Sequence, residues 1–218
     1  MSDWITWQIV DSAFPTGAFA HSWGLESAWQ HGEVRTPADL RGFLDATVLQ
    51  TGHATLPFVN ASYDVPDRLE SLDGLAEAFL TNPVANRASR VQGRTLASTA
   101  ARVWPSAETR ALKARAEAAR GHLAPVAGAA FRLVGLSADT TRRAVLYGSA
   151  RGVLSAAVRL GVVGGYEAQR MQQACAGHLE RVARRCAGLT TDDLAQTAPG
   201  IDLVQAAHDR LYSRLFQS

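Results

Sequence analysis

Residues 137–161, "SADTTRRAVLYGSARGVLSAAVRLG", carry the pattern that decides the fold. Ser137 is a residue type that caps the start of a helix, and Gly161 is the type that most often follows a helix end. Between them lie closely spaced small residues, among them Gly148 and Gly152. Small side chains allow neighbouring helices to approach closely. We therefore expect a long helix at the centre of a helical bundle.

Other segments repeat this helical pattern. Residues 36–58 begin with Thr36 at an N-cap position and a proline in the first turn. Leu40, Leu44 and Val48 then recur at helical spacing. Alternation of apolar and polar residues does not persist beyond about five positions, so strand signals are nearly absent. We predict an all-α fold, in which the whole chain forms a single-domain helical bundle of roughly ten helices.

The composition bounds the class of protein. The chain has 218 residues, of which 47% are hydrophobic and 19% charged, as expected for one globular domain. Its only lysine, Lys113, follows no glycine turn, which excludes a P-loop nucleotide-binding site. The first residues lack a basic signal-peptide region, and the weakly polar run 123–136 is too short to span a bilayer. We expect a cytoplasmic protein with no membrane partner.

The cysteines and histidines do not form a recognisable metal motif. Cys175 and Cys186 are separated by about 16 Å if their segment is helical, which is too far for a disulfide. Free thiols fit a reducing compartment. Cys175 and His178 can share a helix face, but two ligands are too few for a site. We predict no metal ligands, and a metal-storage role is the least favoured of the alternatives.

Charge is distributed unevenly along the chain. Residues 1–80 carry a net charge of −8, and residues 81–218 carry +10. Such asymmetry favours association, either with a second copy or with a charged partner. The Arg-rich C-terminal two-thirds leaves open an alternative function, that of a helical nucleic-acid-binding regulator. Arg87, Arg90 and Arg94 share one predicted helix face, which suits a carboxylate-rich protein surface equally well.

Residues 11–26, "DSAFPTGAFAHSWGLE", are too rich in turn formers for a helix and too apolar for a linker. The portion "AHSWG" around Ser22 is similar to a nucleophile elbow, but that motif requires a preceding strand, which the pattern does not supply. We expect the proline and glycine turn to expose Phe14 and Phe19. His21 and Ser22 are expected to cap the next helix.

The last eleven residues, "HDRLYSRLFQS" (208–218), form a second unusual segment. Tyr212 and Phe216 are spaced at i+4, as are Arg210 and Arg214. Chain ends fray unless they are tied down, and Tyr and Arg are typical anchors of protein interfaces. Two interpretations remain open: the segment binds a partner, or it docks on its own domain.

Four segments occur in the order of one known family: "DSAFPTGAFAHSWGLE", "NRASRVQGRTL", "SAAVRLGVVGGYEAQ" and "HDRLYSRLF". Over essentially its whole length the chain resembles the urease accessory protein UreF family. The resemblance implies an all-helical, homodimeric chaperone that is not an enzyme. It implies binding to UreD (also called UreH) and recruitment of the GTPase UreG to apo-urease for GTP-dependent assembly of the nickel centre. GTP and nickel are expected on the partner proteins, with no cofactor on this chain and no nucleic-acid partner.

The resemblance also implies which residues contact partners. Segments 1–20 and 205–218 are expected to become ordered when a partner binds. The chain departs from the family pattern at Asp209, where Glu is usual, at Gln217, where a basic residue is common, and at Ala127, where Phe is usual. The expected partner-binding residues are Ser12, Phe14, Pro15, Gly17, His21, Glu26, Arg87, Arg90, Gln92, Arg94, His208, Tyr212, Arg214, Leu215 and Phe216.

Overall fold

A computed structural model describes residues 3–218, and these form eleven α-helices without a β-strand. The predicted all-α class is therefore confirmed. No helix in this part of the chain combines the length and apolar character that crossing a bilayer requires. The helices are α1 (Asp3–Val10), α2 (Leu25–Gln30), α3 (Pro37–Gln50), α4 (Leu56–Asp64), α5 (Leu69–Phe79), α6 (Pro83–Val103), α7 (Ala107–Ala118), α8 (Leu123–Leu133), α9 (Ala138–Arg159), α10 (Gly165–Arg185) and α11 (Pro199–Ala206).

Local capping chemistry explains where the predicted helices begin and end. Thr36 Oγ1 accepts the Asp39 N–H at 3.2 Å, and the Asp39 carboxylate accepts the Thr36 N–H at 2.9 Å. This reciprocal pair satisfies two backbone donors at the start of α3. Ser137 caps α9 by accepting the Thr140 N–H at 3.1 Å. Gly161, with φ +73°, follows the end of α9 in the left-handed conformation that favours glycine.

Helix α9 lies at the centre of the bundle, as its small residues predict. It packs against α1, α2, α3, α4, α8 and α10. Leu146, Ala150 and Val153 on α9 are buried in the largest hydrophobic cluster, which also draws on α2, α3, α4 and α10. A Cβ added at Gly152 would collide with the indole nitrogen of Trp23. The small residue therefore makes room for the segment that precedes α2.

A second hydrophobic cluster joins α1, α6, α7 and α8. Its buried members include Leu96 on α6 and Phe131 on α8. Helix α6 and the start of α8 come so close that a Cβ on Gly93 would collide with the Gly121 carbonyl oxygen. Gly121 itself has φ +73°, so both glycines are required by this junction.

Helix α3 continues into a π-helical turn, Thr51–Thr55, before α4 begins. Gly52 in this turn lies against Val182 and Cys186 at the end of α10. Cys175 and Cys186 are both free and buried, as predicted. Burial raises the pKa of each thiol, which disfavours the reactive thiolate.

Candidate partner-binding site

The two unusual segments of the sequence lie against each other. We call residues 11–26 the signature stretch and residues 208–218 the tail. The N–H and the hydroxyl of Ser22 both donate to the backbone oxygen of Ser218, at 2.6 and 3.0 Å. The Ser218 hydroxyl lies 2.5 Å from His21 Nδ1. The tail thus packs on the signature stretch within one chain, while ordering by a partner stays a prediction.

The carboxylate of Glu26 makes three contacts with the tail. Glu26 Oε1 accepts the Leu215 N–H at 2.6 Å, and Oε2 accepts the Phe216 N–H at 3.1 Å. The same Oε2 lies 2.9 Å from His208 Nε2. Both Glu26 and His208 are fully buried. Because three contacts converge on this one buried side chain, it is a main determinant of the tail's position.

Arg159, the last residue of α9, is enclosed by one phenylalanine from each segment. Its guanidinium carbon lies 3.9 Å from the Phe19 ring centroid and 4.1 Å from the Phe216 ring centroid. Its Nη1 also donates to the Phe19 carbonyl oxygen at 2.5 Å. Sequence reasoning did not single out Arg159, although it stands inside the quoted segment "SAAVRLG".

The turn of the signature stretch is anchored on α6. The Thr99 hydroxyl donates to the Pro15 carbonyl oxygen at 2.7 Å, and Gly17 adopts a left-handed φ of +75°. The expectation that this turn exposes Phe14 is wrong: Phe14 is buried, and its ring lies 5.5 Å from that of Trp104. Helix α6 ends at this point and supplies an aromatic surface that the local sequence pattern could not reveal. Phe19 is exposed, as expected.

The start of α2 also differs from expectation. The cap residue is Gly24, with φ +84°, and no side chain caps the helix there. Ser22 contributes its carbonyl oxygen, which accepts the Leu25 N–H at 3.0 Å. Trp23 has φ +60°, a conformation that costs a non-glycine residue about 1–3 kcal/mol. This tight turn leaves the side chains of His21 and Ser22 free to hold the tail instead.

His21 is neutral at pH 7. Burial lowers its pKa to about 4, with further lowering from the positive charges of His208 and Arg87. A neutral imidazole can share a hydrogen bond with the Ser218 hydroxyl without placing an unpaired charge in the interior.

Arg87, Arg90 and Arg94 of α6 contact different neighbours. Arg87 Nη2 donates to both carboxylate oxygens of Asp209, at 2.8 and 3.0 Å, and so joins α6 to the tail. Arg90 forms a 4.0 Å ion pair with Glu77 of α5. Arg94 lies 3.5 Å from a carbonyl oxygen at the end of α7. The structure therefore brings Arg87 into the candidate site and leaves Arg90 and Arg94 apart from it.

The remaining predicted residues divide between surface and interior. Ser12 is exposed, whereas Gln92 is buried and borders a pocket of about 250 Å³ that His21 also lines. Arg214 is 3.4 Å from Asp209 on the surface of the tail. Among residues 3–218, no group of three or more His, Cys, Asp or Glu side chains is placed to hold a metal ion.

The outer face of the tail carries two large exposed apolar or aromatic side chains among polar ones. Gln30 at the end of α2 donates to the Ser213 carbonyl oxygen at 2.8 Å and fixes this part of the tail. Around that bond, Tyr212 is fully exposed, Leu215 is half exposed and Trp29 of α2 is 42% exposed. We call Trp29, Tyr212 and Leu215 the tail patch. Large exposed side chains on a backbone fixed from beneath are suited to protein–protein contact.

A polar network between α5, α6 and α8 has the residue types of a hydrolase triad. His122 is buried, with Nδ1 3.1 Å from Ser89 Oγ and Nε2 2.9 Å from Glu77 Oε2. However, Ser89 Oγ also accepts the Leu123 N–H at 3.1 Å and thereby satisfies the start of α8. The network therefore acts as a buried polar connection between helices.

The bundle and its fixed, aromatic tail define an all-α protein with a surface suited to protein–protein contact. Residues 34–176 match the model of the UreF family, and the chain belongs to this family. It is 40% identical to urease accessory protein F of Arabidopsis thaliana over 223 residues, covering 99% of this chain and 92% of the relative. It is 38% identical to urease accessory protein F of Oryza sativa subsp. indica, covering 98% and 84%. Urease accessory protein UreF of Paenarthrobacter aurescens is 32% identical, covering 97% and 96%. Family membership supports a role in urease maturation as an accessory protein.

Proposed function

We propose that this chain is a scaffold of urease maturation that binds UreD/UreH and recruits the GTPase UreG to apo-urease. Nickel reaches the urease site while UreG hydrolyses GTP, and both GTP and nickel are held by the partners. This chain contributes binding surfaces and no catalytic group. The observation that carries the proposal is the capture of the Leu215 and Phe216 N–H groups by the buried Glu26 carboxylate. That capture fixes the tail while leaving Tyr212 exposed.

The energetics of the tail patch favour a protein partner. Exposed Trp, Tyr and Leu side chains gain free energy when a partner covers them. Because the backbone beneath them is already fixed, little conformational entropy is lost on binding. A fixed aromatic patch is therefore more effective than a flexible segment of the same composition.

The ion pairs of α6 favour a protein over a nucleic-acid partner. Asp209 partly neutralises Arg87, and Glu77 lies within ion-pair distance of both Arg90 and Arg120. Phosphate binding would have to displace these carboxylates. We expect weak DNA binding even at low salt. A dissociation constant that rises steeply with salt from a tight starting value would support the alternative regulator function.

We further propose that the scaffold is a cytoplasmic homodimer. The net charges of −8 over residues 1–80 and +10 over residues 81–218 favour association between copies. Sedimentation equilibrium tests this directly, and a monomer at all accessible concentrations contradicts it.

Tyr212→Ala tests the binding surface with a matched control. Tyr166 on α10 is also almost fully exposed, so Tyr166→Ala removes the same side chain elsewhere. Each variant is co-purified with UreD/UreH, and then with UreG, by size-exclusion chromatography. We expect Tyr212→Ala to weaken UreD/UreH binding by tenfold or more, roughly the cost of one interface anchor, without changing thermal stability. Equal binding by Tyr212→Ala and the unaltered chain contradicts the proposal, as does failure of the unaltered chain to bind either partner.

A further inference from the structure

The end of α9 connects the two segments that form the candidate site. The guanidinium carbon of Arg159 lies over the ring of Phe19 in the signature stretch and over the ring of Phe216 in the tail. Its Nη1 donates to the Phe19 carbonyl oxygen at 2.5 Å. Ser22 and Glu26 of the signature stretch already hydrogen-bond to the tail, and Arg159 adds a side chain that contacts an aromatic ring of each segment.

We propose that Arg159 is a positioning residue that couples the ordering of the signature stretch to the docking of the tail. With Arg159 in place, each segment stabilises the bound position of the other. The coupling is a property of the isolated chain. Its consequence for UreD/UreH, presentation of both segments as one surface, rests on the proposed function.

The chemistry of the guanidinium supports this role. A planar cation can stack on two rings at once while an N–H at its edge donates to a carbonyl oxygen. A lysine ammonium at the same place keeps the charge but cannot form this flat double contact. The position at the last turn of α9 also suits a cation, because the helix dipole places partial negative charge there.

The two rings differ in burial, and this difference makes the coupling measurable. Phe216 is 6% exposed and belongs to the largest hydrophobic cluster, so its replacement disturbs the core. Phe19 is 68% exposed, so Phe19→Leu removes one half of the stack at little cost in core packing. An effect of Phe19→Leu can reach the tail through Arg159 or through the adjacent Ala20, whose carbonyl oxygen accepts the Gln217 N–H at 2.8 Å, so the test must separate these two routes.

Hydrogen exchange of the isolated chain provides the first test. The amides of residues 215–217 donate to Glu26 and to Ala20 and therefore report tail docking. We expect Arg159→Gln to accelerate their exchange about tenfold or more, the effect of losing two cation–π contacts. Arg159→Lys keeps the charge but loses the planar group, and we expect it to accelerate the same exchange several-fold. The control is Arg170→Gln, which removes an exposed arginine on α10 and should change tail exchange less than twofold. Unchanged tail exchange in Arg159→Lys overturns the inference.

A double-mutant cycle separates coupling from general loosening. Phe19→Leu is measured in the unaltered chain and in the Arg159→Gln background, which has no cation to contact the ring. We expect it to accelerate tail exchange several-fold in the first and not at all in the second. Equal effects in both backgrounds overturn the inference. Partner binding is scored separately: a chain that shows this cycle but binds no UreD/UreH contradicts the proposed function and leaves the coupling established.

Discussion

Replacing Glu26 by Gln is expected to release the tail. The carboxylate accepts three hydrogen bonds in a fully buried position, from Leu215, Phe216 and His208. A glutamine side chain has nearly the same shape but offers one oxygen. Its NH₂ group would then face at least one of these donors.

The magnitude follows from this mismatch. Each buried donor left without an acceptor costs about 1–3 kcal/mol, and the glutamine leaves at least one of the three donors in this position. We therefore expect Glu26→Gln to weaken tail docking by about 2–4 kcal/mol, which raises the population of the undocked tail by a factor of about 30–1,000. The bundle can retain its other helices, because the remaining hydrophobic clusters do not depend on the tail.

Hydrogen exchange of residues 208–218, followed by mass spectrometry, measures this population because the local opening occurs without global unfolding. Glu167→Gln is the matched control, since Glu167 forms an exposed pair with Arg170 that contributes about 0–1 kcal/mol. His208→Gln should weaken tail docking less in the Glu26→Gln background than in the unaltered chain, because the two side chains share one interaction. If the tail amides of Glu26→Gln exchange at a rate within twofold of the rate in the unaltered chain, the reasoning is refuted.

Three further changes test the packing and the protonation of the molecule. Gly93→Ala should destabilise the fold by about 3 kcal/mol in urea denaturation, because the new Cβ meets the Gly121 carbonyl oxygen. Gly74→Ala, on the open side of α5, should instead stabilise it by about 0.5–1 kcal/mol, and similar results for both would contradict the difference in packing between the two positions. Folding lowers the pKa of His21 from 6.5 to about 4, so the unfolded chain binds more protons between these values and stability falls as pH drops through that window. The contribution is about 3 kcal/mol between pH 7 and pH 4, and His21→Gln should lack it, so the stability difference between the unaltered chain and the variant should change by that amount over this range. Parallel pH profiles would refute it.

Features set by neighbouring residues could be predicted from the sequence. The caps at Thr36 and Ser137 and the glycine at 161 depend on a few adjacent positions, and the structure confirms all three. The small residues of α9 indicated a central helix because only close helix contacts require them. The exposed position of Phe19 followed from the turn that precedes it.

Features set by distant residues could not be predicted from the sequence. The pairing of Glu26 with His208 joins positions 182 residues apart, so no local pattern reveals it. Phe14 was expected on the surface because the ring of Trp104, which covers it, belongs to another part of the chain. Arg159 was overlooked because an arginine at a helix end has an ordinary explanation by itself. Only the three-dimensional position of both phenylalanines gives it a role.

Glu26 and His208 are 182 positions apart, so the two halves of the site are synthesised at different times. A ribosome adds about 5–20 residues per second, so the signature stretch is made roughly 10–40 s before the tail that packs on it. During that interval the Glu26 carboxylate has no tail to hold, and a newly made bundle lacks half of its candidate surface. Nascent chains would therefore be unable to engage a partner through the complete surface, and assembly would begin only after synthesis has passed the tail.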